Sequence, residues 1–115
     1  MVLTRDFKET IVDRVNHDPD FARALLDEAS TLFLNGEPET ARMILRDLVN
    51  ATIGFETLAR TVSTPPKSLH RMLSQRGNPS MNSIATIFSA VSKNLNVRFQ
   101  TSLVEPEKQG KAAAS

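Results

Sequence analysis

Apolar residues recur three or four positions apart along most of the chain, a spacing that predicts amphipathic helices. Residues 4–15 and 18–34 form the first two such segments. Asp18 and Pro19 suit the N-cap and the first helical position of the second helix. The predicted apolar faces of these two helices consist of Phe7, Ile11, Val15, Phe21, Leu25, Leu26, Ala29, Leu32 and Phe33.

The same spacing predicts four more helices, separated by short turns. The third begins at Pro38 and ends before Gly54, the fourth covers residues 55–62, the fifth opens at residues 64–66, and the sixth follows Ser80 as its cap. Their predicted inward residues are Ala41, Ile44, Leu45, Leu48, Val49, Phe55, Leu58, Ala59, Val62, Leu69, Met72, Leu73, Ile84, Ile87, Phe88, Val91 and Leu95. The sequence therefore predicts an all-α fold.

Residues 97–103 change from the helical period to strict alternation, which is typical of a strand. Because a single strand has no partner in a helical chain, two interpretations stay open. The segment is an edge strand that pairs with a second copy or another protein, or it is an extended segment packed on the helices. We predict a short C-terminal strand here, followed by a disordered tail over residues 105–115.

The length of 115 residues suits one domain, which we place at residues 1–104, with a core of helices at about 37–96. Apolar residues make up 40% and charged residues 23%, which favours a globular protein over a disordered one. Residues 1–10 lack an apolar run, so we expect no signal peptide, and no stretch is suited to a bilayer. The absence of cysteine is compatible with the cytoplasm, where we expect the protein to reside.

Charge is unevenly distributed between the two halves of the chain. Residues 1–50 carry six Lys or Arg and ten Asp or Glu, a balance of −4, whereas residues 51–98 carry six basic side chains and one acid, a balance of +5. Such polarity indicates an anionic partner for the second half, or merely an uneven solvated surface. Charge alone does not separate these two interpretations.

Residues 64–80 place hydrogen-bonding side chains on the outer side of a short helix that follows another short helix and a tight turn. This is the helix-turn-helix arrangement, in which the second helix enters the major groove of DNA. We expect Thr64 to cap this helix while Pro65 and Pro66 occupy its first turn. The candidate DNA-binding residues are Thr64, Lys67, Ser68, His70, Arg71, Gln75, Arg76 and Asn78. The simpler alternative is solvated charge, a surface histidine and ordinary turn residues.

Several short motifs stand in order along this part of the chain: Leu58–Val62, then Ser68-Leu69-His70-Arg71-Met72-Leu73, Gly77-Asn78-Pro79 and Leu95-Asn96-Val97. In these motifs the chain resembles the addiction-module antidote proteins, a branch of the Xre-type (lambda-repressor-like) helix-turn-helix superfamily. Residues 18–51 also resemble the helical lead-in of a subgroup. The chain departs from the family at residues 63–66, where many relatives carry "GLSRE"; proline replaces the arginine, and one DNA contact is absent or is taken over by Lys67.

The resemblance implies a lambda-repressor-like bundle with two extra N-terminal helices. It also implies a bacterial repressor that binds its own double-stranded operator DNA as a homodimer and neutralises a small toxin encoded beside it. A basic toxin would be complemented by the acidic first half. The acids concerned are Asp13, Asp18, Asp20, Asp27, Glu28, Glu37 and Glu39. Their simpler interpretation is a solvated helix surface.

Two other functions stay open: a stand-alone helix-turn-helix regulator without a toxin, and a protein-interaction module that has lost DNA binding. We do not expect an enzyme. His17 and His70 have no metal-ligand spacing, and the chain has no glycine-rich phosphate loop or nucleophile elbow. The sequence accordingly predicts no catalytic residue, no cofactor, no metal site and no membrane partner.

Overall fold

Six helices make up the regular structure of the chain in a computed structural model that describes residues 11–106. The helices are α1 (described over residues 11–17), α2 (Pro19–Leu34), α3 (Pro38–Ala51), α4 (Phe55–Val62), α5 (Pro66–Met72) and α6 (Met81–Asn94). Over the same residues the chain forms no strand, so the all-α prediction is confirmed. Within this part of the chain, none of the helices has the length and apolar character needed to cross a membrane.

Helices α2 and α3 pack against each other. Each begins at a proline, as the sequence predicts. The Asp18 carboxylate accepts a hydrogen bond from the backbone N–H of Asp20 at 3.1 Å, and Pro19 is the first residue of α2. Pro38 is likewise the first residue of α3, but no side chain caps that helix. A proline at this position costs no helical hydrogen bond, because the first N–H groups of a helix have no partner within it.

One hydrophobic core joins five of the helices. Its largest fully buried side chains are Leu26, Leu45, Leu48, Val49, Leu58, Leu69, Leu73, Ile87 and Val91. The inward faces predicted for α3 to α6 are thus confirmed, although four of the predicted residues are only half-buried: Ile44, Val62, Met72 and Leu95. On α2 the buried face is rotated slightly, because Ala22 is buried whereas Phe21 is half-buried, with the Arg14 guanidinium 4.3 Å from its ring centroid.

The boundary between α3 and α4 depends on a glycine. Gly54 has φ +81°, a left-handed conformation that side-chain-bearing residues adopt only with strain. Its N–H donates to the carbonyl of Val49 at 2.7 Å, which closes the end of α3. The chain then restarts as α4, which packs against α3, α5 and α6 and so occupies the middle of the fold.

Helix α6 is capped at its start and tied to α2 at its end. The Ser80 hydroxyl oxygen accepts from the N–H of Ser83 at 3.1 Å, as predicted for a cap. At the other end Arg23 donates from Nε and Nη2 to the carbonyl of Leu95 at 3.2 and 3.1 Å. Arg23 therefore holds the C-terminal end of α6 against the N-terminal helix pair.

The predicted C-terminal strand at residues 97–103 is not seen, since residues 97–106 have no regular secondary structure. A strand needs a neighbouring strand for its backbone hydrogen bonds, and the described residues contain none. Instead, Val97 packs on the core and the ring edge of Phe99 meets Phe88 at a centroid distance of 5.5 Å. Val97 and Phe99 thus contact the helices, whereas Leu103 is fully exposed. Most of the predicted disordered tail, residues 107–115, lies outside the described residues.

Candidate nucleic-acid interface

A three-residue turn reverses the chain between α4 and α5. Ser63 follows the last residue of α4 with φ +54° and ψ +45°, and the N–H of Thr64 donates to the carbonyl of Ala59 at 3.0 Å. Pro65 is extended, as a residue before proline must be, and α5 begins at Pro66. The turn places α5 against α4, so the two short helices share one part of the core.

Thr64 does not cap α5, which corrects the prediction. The N-cap is Pro65, and no side chain caps the helix. Because α5 starts one residue later than expected, the Thr64 hydroxyl lies outside the cap position and donates to the carbonyl of Val62 at 3.2 Å. Of the two prolines only Pro66 occupies the first turn.

The inner face of α5 and of the residue after it is apolar, as predicted. Leu69 is 1% exposed and Leu73 is fully buried, while Met72 is half-buried. Helical geometry then turns the remaining side chains of α5 away from the core, and the turn after α5 carries further polar side chains. Lys67, His70, Arg71, Gln75, Arg76 and Asn78 are exposed, and Thr64 and Ser68 are half-buried.

The cations of this surface have no anionic partner among the described residues. The ion pairs found there, His17–Asp13 and Arg23–Asp20, both belong to the first half of the chain. Lys67, Arg71 and Arg76 form no ion pair within residues 11–106. Their positive charge is therefore available to an external anion. We call the exposed side chains of α5 and the following turn, residues 67–78, the basic surface.

His70 belongs to the same surface but contacts a neighbour. Its imidazole stacks on the ring of Phe55, with centroids 3.9 Å apart and planes at 20°. Phe55 is the first residue of α4 and is buried. One face of the histidine ring is therefore covered by the protein, and its edge remains exposed.

The turn after α5 is held tightly against the helix end. The Ser74 hydroxyl donates to the carbonyl of Arg71 at 2.7 Å, and the N–H of Gly77 donates to the carbonyl of Ser74 at 3.1 Å. A Cβ atom on Gly77 would overlap the carbonyl oxygens of Met72 and Arg71, so only glycine fits here. This compact turn carries Gln75, Arg76 and Asn78 outward.

Sequence reasoning missed Arg42, a residue of α3 that reaches this turn. It is 7% exposed, and its Nε and Nη2 donate to the carbonyls of Ser74 and Gln75, both at 3.2 Å. A signal was present in the sequence, because position 42 falls on the apolar stripe, three residues before Leu45. A charged residue at such a position needs a buried partner.

The basic surface is suited to binding an anion with directional acceptors. Within the described residues, no three His, Cys, Asp or Glu side chains come together in a group that would hold a metal ion. Comparisons of the chain with protein-family models, with curated proteins and with solved structures found no match. The function is therefore inferred from the residues of the chain.

Proposed function

We propose that this protein is a sequence-specific, double-stranded-DNA-binding transcriptional repressor. In this proposal α4, the turn at residues 63–65 and α5 form a helix-turn-helix within a lambda-repressor-like bundle, and α5 enters the major groove. The observation that carries the proposal is that α5 has one buried apolar face and one exposed basic face. Leu69 is buried in the core, while Lys67 and Arg71 are exposed and free of ion pairs within residues 11–106.

The side chains of the basic surface match the two kinds of contact that a repressor makes. Lys67, Arg71 and Arg76 supply charge for phosphates, and an arginine on the recognition helix also forms a bidentate pair with guanine O6 and N7. Gln75 and Asn78 offer amide groups, which pair with adenine or with phosphate oxygens. Phosphate contacts fix the position of the protein, and base contacts give the sequence specificity.

A second copy of the chain completes the proposed DNA site. One recognition helix covers only a half-site, and two copies read half-sites about one DNA turn apart, ~34 Å. The part of the chain after α6 is available for dimerisation, since Leu103 is 100% and Val104 85% exposed. Exposed apolar side chains of this kind are typical of interaction surfaces.

We also propose that the protein is the antitoxin of a toxin–antitoxin module, with a small basic toxin as its partner. This part rests on the resemblance of the α5 motifs to the antidote family and on the charge of the first half. All seven acids assigned to it are exposed: Asp13, Asp18, Asp20, Asp27, Glu28, Glu37 and Glu39. Exposed acids of one sign speed the encounter with a basic partner.

Binding to the promoter upstream of its own gene tests the proposal. Fluorescence anisotropy with that duplex and with a scrambled duplex, over about 50–200 mM salt, gives both the specificity ratio and the salt slope. We expect tight binding to the promoter that weakens steeply with salt, because each phosphate contact releases counterions. Equal and weak binding to both duplexes would contradict the proposal.

A pair of variants localises the site. Arg71→Ala should cost about 1–3 kcal/mol and relax specificity at one base pair if Arg71 reads a base edge. Arg46→Ala removes the same charge from a residue of α3 that lies outside both the basic surface and the segment after α6, and it serves as the matched control. Equal losses in the two variants would show that only net charge matters.

A further inference from the structure

Arg42 is a buried cation whose side chain spans two parts of the fold. It lies on α3, 32 residues before Ser74 in the chain, and its guanidinium reaches the turn that follows α5. Two separate nitrogens, Nε and Nη2, each donate to a different carbonyl, those of Ser74 and Gln75. This forked geometry is specific to arginine, because a lysine ammonium has no rigid pair of donors.

The partners of Arg42 are carbonyl oxygens rather than a carboxylate. Among the described residues Arg42 forms no ion pair, although it is almost fully buried. Burial of a charge is costly unless the charge is compensated by hydrogen bonds. The carbonyls beyond the end of a helix carry partial negative charge and lack helical partners, so they are suitable acceptors for a cation.

The two carbonyls immediately precede Arg76 in the chain. Arg42 holds this turn from the side of α3, while the close approach of Gly77 to the carbonyls of Met72 and Arg71 holds it from the side of α5. The backbone that carries Arg76 and Asn78 is thereby fixed on both sides.

We propose that Arg42 is a positioning residue of the DNA-binding surface, which acts by fixing the turn that presents Arg76 and Asn78 to the phosphate backbone. The inference rests on the proposed function. A turn that is ordered before binding does not have to be ordered during binding, so its contacts contribute more to affinity.

A double-mutant cycle between Arg42 and Arg76 tests this assignment. If Arg42 acts through Arg76, Arg42→Met should weaken promoter binding about tenfold when Arg76 is present and less than about twofold in the Arg76→Ala background. A residue that merely stabilises the fold would weaken both backgrounds equally. Arg46→Met is the matched control, since Arg46 lies one turn further along α3 and its side chain forms no hydrogen bond or ion pair with another described residue.

Amide hydrogen exchange gives a readout that does not depend on DNA. The N–H of Gly77, which donates to Ser74, should exchange faster in Arg42→Met, while the N–H of Leu95, which donates to Val91, should be unchanged. If Arg42→Met does not fold, Arg42→Lys is used in the same cycle. Lysine keeps the positive charge but lacks the paired donors of the guanidinium, so it should show a smaller coupling energy to Arg76.

The outcomes separate the two proposals. Failure of the unaltered protein to bind its promoter would overturn the proposed function and this inference together. If the unaltered protein binds its promoter but Arg42→Met weakens binding equally in the two Arg76 backgrounds, only the assignment of Arg42 is overturned. The same holds if Arg42→Met leaves hydrogen exchange at Gly77 unchanged. Coupled losses with faster exchange at Gly77 would support it.

Discussion

The imidazole of His70 lies on the phenyl ring of Phe55, with ring centroids 3.9 Å apart and planes only 20° from parallel. Phe55 begins α4 and His70 lies near the end of α5, so the contact joins two helices that are separated by a tight turn. Aromatic pairs contribute beyond their buried area. The pair therefore helps to set how α5 sits on α4, which is a different role from the base contact that the sequence predicts for His70.

Replacement of His70 should show how much this stacking contributes to the free energy of unfolding. We expect His70→Ala to lower the free energy of unfolding by about 0.5–1.5 kcal/mol, whereas His70→Phe, which retains a flat ring, should stay near the unaltered protein. Urea unfolding followed by circular dichroism measures both. An equal loss in the two variants would mean that the stacked ring does not stabilise the fold.

The features that the sequence predicted correctly depend on residues close together in the chain. The cap at Asp18 and the cap at Ser80 each involve a residue two or three positions away. The buried faces of α3 to α6 follow from a period of 3.6, which is also local. The outward direction of Lys67 and Arg71 follows from the same period once Leu69 is assigned to the core.

The features that the sequence did not predict depend on distant partners or on single-residue shifts. Arg42 finds its acceptors 32 and 33 residues away, and no local pattern gives that distance. Thr64 misses the cap of α5 because the helix starts one residue later than expected. The alternation at residues 97–103 is common to a strand and to an extended segment packed on helices, so the pattern alone did not reveal that these residues have no regular secondary structure.

The left-handed conformation of Ser63 predicts which residues the α4–α5 turn tolerates. Ser63 has φ +54°, where a β-branched side chain is strained. We expect Ser63→Val to destabilise the protein by about 1–2 kcal/mol, while Ser63→Gly should change stability much less, because glycine adopts this conformation freely. Thermal and urea unfolding give the two values. A tolerated valine would show that the turn adopts another conformation in solution.

Reversal of two charges in the acidic first half should weaken binding of the proposed toxin. Asp27 and Glu28 are both exposed on α2, and neither side chain forms an ion pair among the described residues. Asp27→Lys with Glu28→Lys should leave the unfolding free energy nearly unchanged but reduce co-purification of the proposed small basic toxin. The toxin's association rate should fall most at low salt. Unchanged toxin binding would remove the acidic pair from the interface.

Leu103 and Val104 lie in the segment to which we assign the contact of the proposed dimer. Both are largely exposed and contribute nothing to the core of their own chain, so Leu103→Ser with Val104→Ser should leave the unfolding free energy of the isolated chain unchanged. Burial of such side chains at an interface is worth about 1.5–3 kcal/mol each, so the double variant should weaken dimerisation by at least about tenfold. Sedimentation equilibrium measures the dissociation constant of the dimer. Met43→Ser, which changes an exposed apolar residue of α3, is the control. An unaltered dimer would place the contact elsewhere, and the half-site spacing would then have to be set by a surface other than the segment that follows α6.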